Sequence, residues 1–107
     1  MANNFGLVVR FHLNPGAGEG FDRLVAETVP EIAAHEPGTL IYTVHQVEGH
    51  PEQRIFYELY ADKQAFDAHE LYPHTARFLT ERGQYVASYE VDFVSPIESA
   101  RGHLKLG

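Results

Sequence analysis

The chain has 107 residues, 44% hydrophobic and 12% aromatic, with a net charge of −7 and no cysteine. This composition suits one globular domain and excludes a disordered chain, a disulfide framework, a thiolate metal site and a cysteine nucleophile. A negative chain with no cluster of Lys and Arg is a poor partner for nucleic acid or an anionic membrane, and no apolar run approaches the ~20 residues that span a bilayer.

The opening Met1 to Asn4 shows neither the basic nor the apolar region of an export signal, so a cytoplasmic location is expected. From Phe5 to Leu13, Leu7, Val9, Phe11 and Leu13 alternate with Val8, Arg10 and His12, which is a strand pattern. Asn14 to Gly20 breaks it. Glycines at 16, 18 and 20 stand there without the Lys and Ser/Thr of a phosphate-binding loop, and their spacing is not the dinucleotide fingerprint, so a plain loop is expected. From about Glu19 to His35 the period becomes helical, with Phe21, Leu24, Val25, Thr28 and Ile32 on one stripe. Pro30 should kink this helix or start its last turn, and Pro37-Gly38 ends it.

Thr39 to Val47 and Arg54 to Ala61 read as two strands joined by a hairpin loop over Glu48 to Gln53. Asp62 is placed to cap a helix through Phe66 to Glu70, and Pro73 to open a second segment that carries Phe78 and Leu79 and stops near Gly83. A last strand spans about Ser88 to Val94, with Tyr89, Val91 and Phe93 on one face. Pro96 ends it, leaving a core of about 5–95 and a tail over 96–107 within one domain, 1–107.

The order β-α-β-β-α-β predicts an α+β, ferredoxin-like fold: a four-stranded antiparallel sheet with helices on one face. Both faces of the strands carry large apolar groups, and the helices can cover only one. Packing the bare face against a second copy removes that exposure, so a homodimer is expected.

Tyr42 to Gly49, then Phe56 to Tyr60, then Ala65-Phe-Asp-Ala-His69 and Pro73-His74 together resemble the antibiotic biosynthesis monooxygenase (ABM) family. The resemblance covers roughly residues 6–94 and rests on four short motifs in order. It implies a dimeric α/β barrel with a pocket between sheet and helices. It also implies a cofactor-independent monooxygenase acting with molecular oxygen on a small aromatic substrate, a quinol or an anthrone-like polyketide. Haem-degrading members of the family carry an Asn, a Trp and a His at positions that fall on Val9, His69 and Leu79 here. None matches, so haem degradation is not expected.

The catalytic candidates are His69, Glu58 and His74. His69 lies three residues after Phe66 and His74 four before Phe78, spacings that aim both imidazoles at the inward helical face, where each could titrate near neutral pH. Their structural alternative is a bond to a backbone carbonyl for His69 and a helix cap for His74. Glu58 sits mid-strand, where a carboxylate is costly unless paired. It could orient a histidine, act as a base, or bridge to Arg10 or Arg77. Tyr57, Tyr72, Phe78 and His45 are the substrate-binding candidates, with His45 able to face either the pocket or the dimer interface. A metal held by His45, Glu58, His69 and His74 is conceivable, but no spacing enforces it, and neither metal nor cofactor is expected. A non-catalytic dimer binding an aromatic or haem-like ligand, or an isomerase or lyase on the same fold, would use the same residues.

Overall fold

In the computed structural model, which describes residues 3–101, β1 (Phe5–Leu13) buries Leu7, Val9, Phe11 and Leu13 on one face, as its alternation demands. Helix α1 (Gly18–His35) lies over that face and buries Phe21, Leu24, Thr28 and Ile32. It runs on through Pro30, which is exposed, so the carbonyl that loses its partner can turn to water. The aromatic core is built where these elements meet: the Phe11 ring lies 5.4 Å from Phe21 and 4.9 Å from Phe56.

β2 (Thr39–Val47) and β3 (His50–Tyr60) form a hairpin tighter than the expected six-residue loop. Gly49 adopts φ +76, which allows the chain to reverse over Glu48-Gly49, so β3 begins at His50 and already includes Pro51 to Gln53. Asp62 caps α2 (Lys63–Leu71), its side chain accepting the Ala65 N–H at 2.8 Å. Pro73 occupies the first turn of α3 (Pro73–Glu81), and a 3-10 turn over Arg82–Gln84 leads into β4 (Val86–Val94).

The sheet is antiparallel throughout, in the order β2-β3-β1-β4. Register decides what shares a face: Leu7 stands opposite Glu58 and Phe93, Val9 opposite Phe56 and Val91, Phe11 opposite Arg54 and Tyr89. Arg54 is buried at one end of this layer, where its guanidinium bonds both oxygens of Asp22 on α1, at 2.8 and 2.9 Å, and the carbonyl of Pro51. No helix among the described residues is long and apolar enough to cross a membrane.

The bare face is less uniformly apolar than the sequence suggested. Val8, Ile41, Ile55 and Tyr57 are half-buried there, but Arg10 bonds Gln53 at 2.8 Å, His12 bonds Glu90 at 2.7 Å, and β4 presents Ser88, Glu90 and Asp92. The exposed aromatics lie on the helix side of β4: Tyr89 is 51% exposed and Phe93 64%. The helices cover the other three strands, while this one is met by the edge of Phe66, 6.3 Å from the Phe93 ring, and by Arg82 over Tyr89. Of the expected tail, residues 102–107 lie outside the described part.

Candidate functional site

Between the sheet and α2 and α3 lies a cavity of about 200 Å³, walled by Leu7, Val9, Phe11, Tyr42, Phe56, Phe66 and Phe78 and open along Tyr89, Val91 and Phe93. Five polar side chains interrupt this apolar lining: Glu58, His69, Glu70, Thr75 and Arg82, with Thr28 on α1 already satisfied by the Leu24 carbonyl at 2.8 Å. Thr75 is buried and its hydroxyl has no partner among the described residues.

Glu58 faces the helices because it is in phase with Phe56 and Tyr60 along β3. The Tyr60 hydroxyl donates to its Oε1 at 2.6 Å. Burial pushes the carboxyl up from 4.5 to about 7; the Tyr60 hydrogen bond opposes this, Glu70 and Glu36 add to it, and Arg82 works against it. The bridge to Arg10 or Arg77 does not form. Arg10 is out of phase with Glu58 and lies on the other face, and Arg77 is exposed on α3, where it bonds Glu27 and Glu81. The Tyr60 and Tyr42 phenols are likewise held far above their ordinary value, first by burial and then by the charge of Glu58. Both are neutral hydroxyls at any physiological pH.

His69 is 5% exposed and comes inward one turn after Phe66, as the helical spacing required. Its Nδ1 lies 2.7 Å from Glu36 Oε1, and its Nε2 lies 4.0 Å from Glu58 Oε1. The ring packs against Tyr60 and Tyr42, at centroid distances of 5.2 and 5.8 Å. It therefore bonds a carboxylate where a backbone carbonyl was the structural alternative. The gap to Glu58 is too long for a hydrogen bond.

His74 does not reach the cavity. It caps nothing on α3 and instead bonds Glu36 Oε2 from the far side, with its ring stacked on Tyr72 at 5.1 Å. Tyr72 is also outside the cavity. Its hydroxyl donates to the His35 carbonyl at 2.8 Å, and it lines an outer groove with His35, His74 and Arg77. His45 and Tyr57 project from the opposite face of the sheet: His45 is exposed, within 3.1 Å of the Thr43 hydroxyl, and Tyr57 is half-buried. Strand parity separates both from Glu58. Of the seven candidates, the fold thus brings Glu58, His69 and Phe78 together at the cavity. It leaves His74 one residue removed and places His45, Tyr57 and Tyr72 elsewhere. The four-ligand metal set is split across both faces, and no group of three potential metal ligands is found among the described residues.

Two participants escaped sequence reasoning. Glu36, directly before Pro37-Gly38, looks like a solvent-facing residue at a helix end, yet it is 6% exposed. Arg82, in the turn before β4, lies with its guanidinium 4.8 Å from the Tyr89 ring centroid and 5.6 Å from that of Phe11. It makes no ion pair among the described residues. No local pattern marks either position, because both depend on what α2, α3 and β4 bring to them.

The model of the antibiotic biosynthesis monooxygenase family matches residues 4–81. Among solved structures, a candidate antibiotic biosynthesis monooxygenase from Bacteroides thetaiotaomicron superposes with a TM-score of 0.85 at 23% identity, over 98% of this chain and 97% of that one. Another from Caulobacter crescentus gives 0.85 at 19% identity, over 91% and 92%. The protein PA3566 from Pseudomonas aeruginosa gives 0.82 at 21% identity, over 92% and 98%. At these identities the likeness is one of fold. No curated protein matches the sequence. The family match spans most of the chain, from the buried Asn4 beside β1 to the end of α3, and so includes every element that carries Glu36, Glu58 and His69: this chain belongs to the antibiotic biosynthesis monooxygenase family.

Proposed function

We propose that the protein is a cofactor-independent monooxygenase that oxidises a small aromatic substrate, a quinol or an anthrone-like compound, with molecular oxygen, and that it works as a homodimer. The observation that carries this reading is the pair His69 Nε2 and Glu58 Oε1, 4.0 Å apart at the buried side of an aromatic-walled cavity. With Nδ1 engaged by Glu36, the second ring nitrogen is left to take a proton. Glu58, held near neutrality by burial, can carry one.

The chemistry asks little more of the protein. His69 removes a proton from the ring carbon or hydroxyl of the substrate. The resulting anion is electron-rich enough to reduce oxygen, and the two combine as a hydroperoxide. Loss of water leaves a new carbonyl: one oxygen atom stays on the product and the other departs as water, carrying the proton returned by Glu58 or His69. The chain's contribution is orientation between Phe56, Phe66 and Phe78, exclusion of water, and proton delivery. Arg82 stands where it can offset the negative charge of the anion. Dimerisation is supported by the apolar side chains of β4, which flank the open side of the cavity and stay largely exposed among the described residues.

The test is oxygen uptake with a dihydroxynaphthalene or an anthrone by the purified protein and its His69→Ala variant. Loss of a general base should lower the rate about a hundredfold or more, with the variant's melting behaviour preserved. A well-folded His69→Ala protein that consumes oxygen at the wild-type rate refutes the assignment. A wild-type protein that binds such a compound tightly without oxidising it is a binding protein instead.

A further inference from the structure

Glu36 is the point at which three helices meet. Its backbone closes α1, with its N–H bonded to the Ile32 carbonyl at 3.0 Å and its own carbonyl accepting the Thr39 N–H at 3.1 Å. Pro37 holds the residue out of the helical region, and the chain then passes so close to α2 at Gly38 that an added Cβ would stand 2.6 Å from that of Ala65. The missing side chain at Gly38 is what lets α2 pack this close to the segment that carries Glu36.

The carboxylate is 2% exposed and saturated with donors. Oε1 accepts from the Thr39 hydroxyl at 2.7 Å and from His69 Nδ1 at 2.7 Å, and Oε2 accepts from His74 Nε2. A neutral imidazole has a single N–H, and a carboxylate at one nitrogen assigns the hydrogen to that nitrogen. Glu36 therefore makes His69 the Nδ1–H tautomer and turns the Nε2 lone pair toward Glu58 and the cavity. His74 engages the second oxygen and so fixes the rotation of the carboxylate about its own axis. The groups facing His69 are Glu58 and Tyr60 from β3, Tyr42 from β2 and Phe66 from α2; those facing His74 are Tyr72 and, from α1, His35 at a ring distance of 6.4 Å. None of these other groups reaches His69 Nδ1 with an acceptor.

We propose that Glu36 is the positioning residue of this cavity: buttressed by His74, it sets the tautomer and ring orientation through which His69 serves as a base. The proposal rests on the reading of His69 as the base, but its decisive measurement does not need turnover. The alternative is that Glu36 merely ties three helices together, which would leave the tautomer of His69 indifferent to it.

Long-range ¹⁵N NMR on the whole protein near pH 8 separates the two. In the wild type, His69 should show a protonated Nδ1 and a bare Nε2. In Glu36→Gln the side-chain amide can turn its NH₂ toward Nδ1, so the population should move to the Nε2–H form. Where turnover is measurable, kcat should then fall by about a hundredfold or more with KM changed far less, the pattern of a base held in the wrong tautomer. A His69 that stays Nδ1–H in a folded Glu36→Gln protein overturns the proposal. Should that variant fail to fold, His74→Phe and His74→Gln decide. The glutamine keeps a donor for Oε2 and should preserve the tautomer; the phenylalanine removes it and should let a measurable Nε2–H fraction appear. Identical His69 signals in these two variants would also overturn it. Absence of oxygen uptake by the wild type, with the tautomer responding as described, would instead count against the oxygenase reading.

Discussion

Replacing Glu58 by Gln should make the protein more stable at high pH, and the gain should have a defined shape. Glu58 is 6% exposed, and its folded carboxyl is held at about 7 against 4.5 for the exposed group, chiefly because burial disfavours the charge. The folded value lies above the unfolded one, so the folded protein holds this proton more tightly. The associated stability is fully present below about pH 4.5. It drains away as the unfolded chain ionises and the folded one resists, and it is gone once the pH has risen through about 7. The displacement from 4.5 to about 7 corresponds to roughly 3 kcal/mol, a large part of the 5–15 kcal/mol that typically holds a domain together. A glutamine is neutral throughout, and its oxygen can still accept the Tyr60 hydroxyl that now bonds Glu58 at 2.6 Å. Urea unfolding of both proteins at pH 4.5 and pH 8.5 and one protein concentration reads the difference directly. The stability of Glu58→Gln relative to wild type should rise by about 3 kcal/mol between the two pH values, most of it before pH 7. If the two proteins track each other to within about 0.5 kcal/mol, Glu58 is not a strained buried acid, and its place in the proposed chemistry falls with it. Such a trade of stability for a poised carboxyl is what a functional site would show.

Sedimentation at micromolar concentration should give a homodimer, and Phe93→Ser, which removes the most exposed of the β4 aromatics, should shift it toward monomer; a wild-type protein that sediments only as monomer refutes the assembly. The purified protein should be colourless and free of stoichiometric iron, copper or flavin, because its sequence carries no cofactor motif or enforced ligand spacing; a visible absorption band or a one-to-one metal content would contradict this.

Most of the fold was legible along the chain. Period-two alternation in β1 and the helical stripe of Phe21, Leu24, Thr28 and Ile32 are local properties of the backbone geometry, and each survives folding unchanged. So do the stops and starts: Asp62 caps α2 and Pro73 opens α3 where their chemistry requires. The hairpin turn is tighter than its residues suggest, because Pro51, Glu52 and Gln53 resemble loop residues while a single glycine with positive φ at 49 is enough to reverse the chain. That choice is made by pairing across the strands and not by residue preference.

The site divides along the same line. For His69 the inward aim follows from helical phase with Phe66, a one-dimensional fact, and for Glu58 the mid-strand position already marks a carboxylate that is costly unless paired. Strand parity likewise sets Tyr57 and Glu58 on opposite faces of the sheet, so the two cannot line one cavity. What each side chain meets depends on segments distant along the chain. Glu36 lies 33 residues from His69 and 38 from His74, and the three converge only because the α1–β2 turn packs against α2 at Gly38. Hydrogen bonds and desolvation act over a few ångströms of space, whatever the separation along the chain. Residues such as Glu36 and Arg82, whose environment comes wholly from distant segments, therefore carry no mark of it in their own neighbourhood.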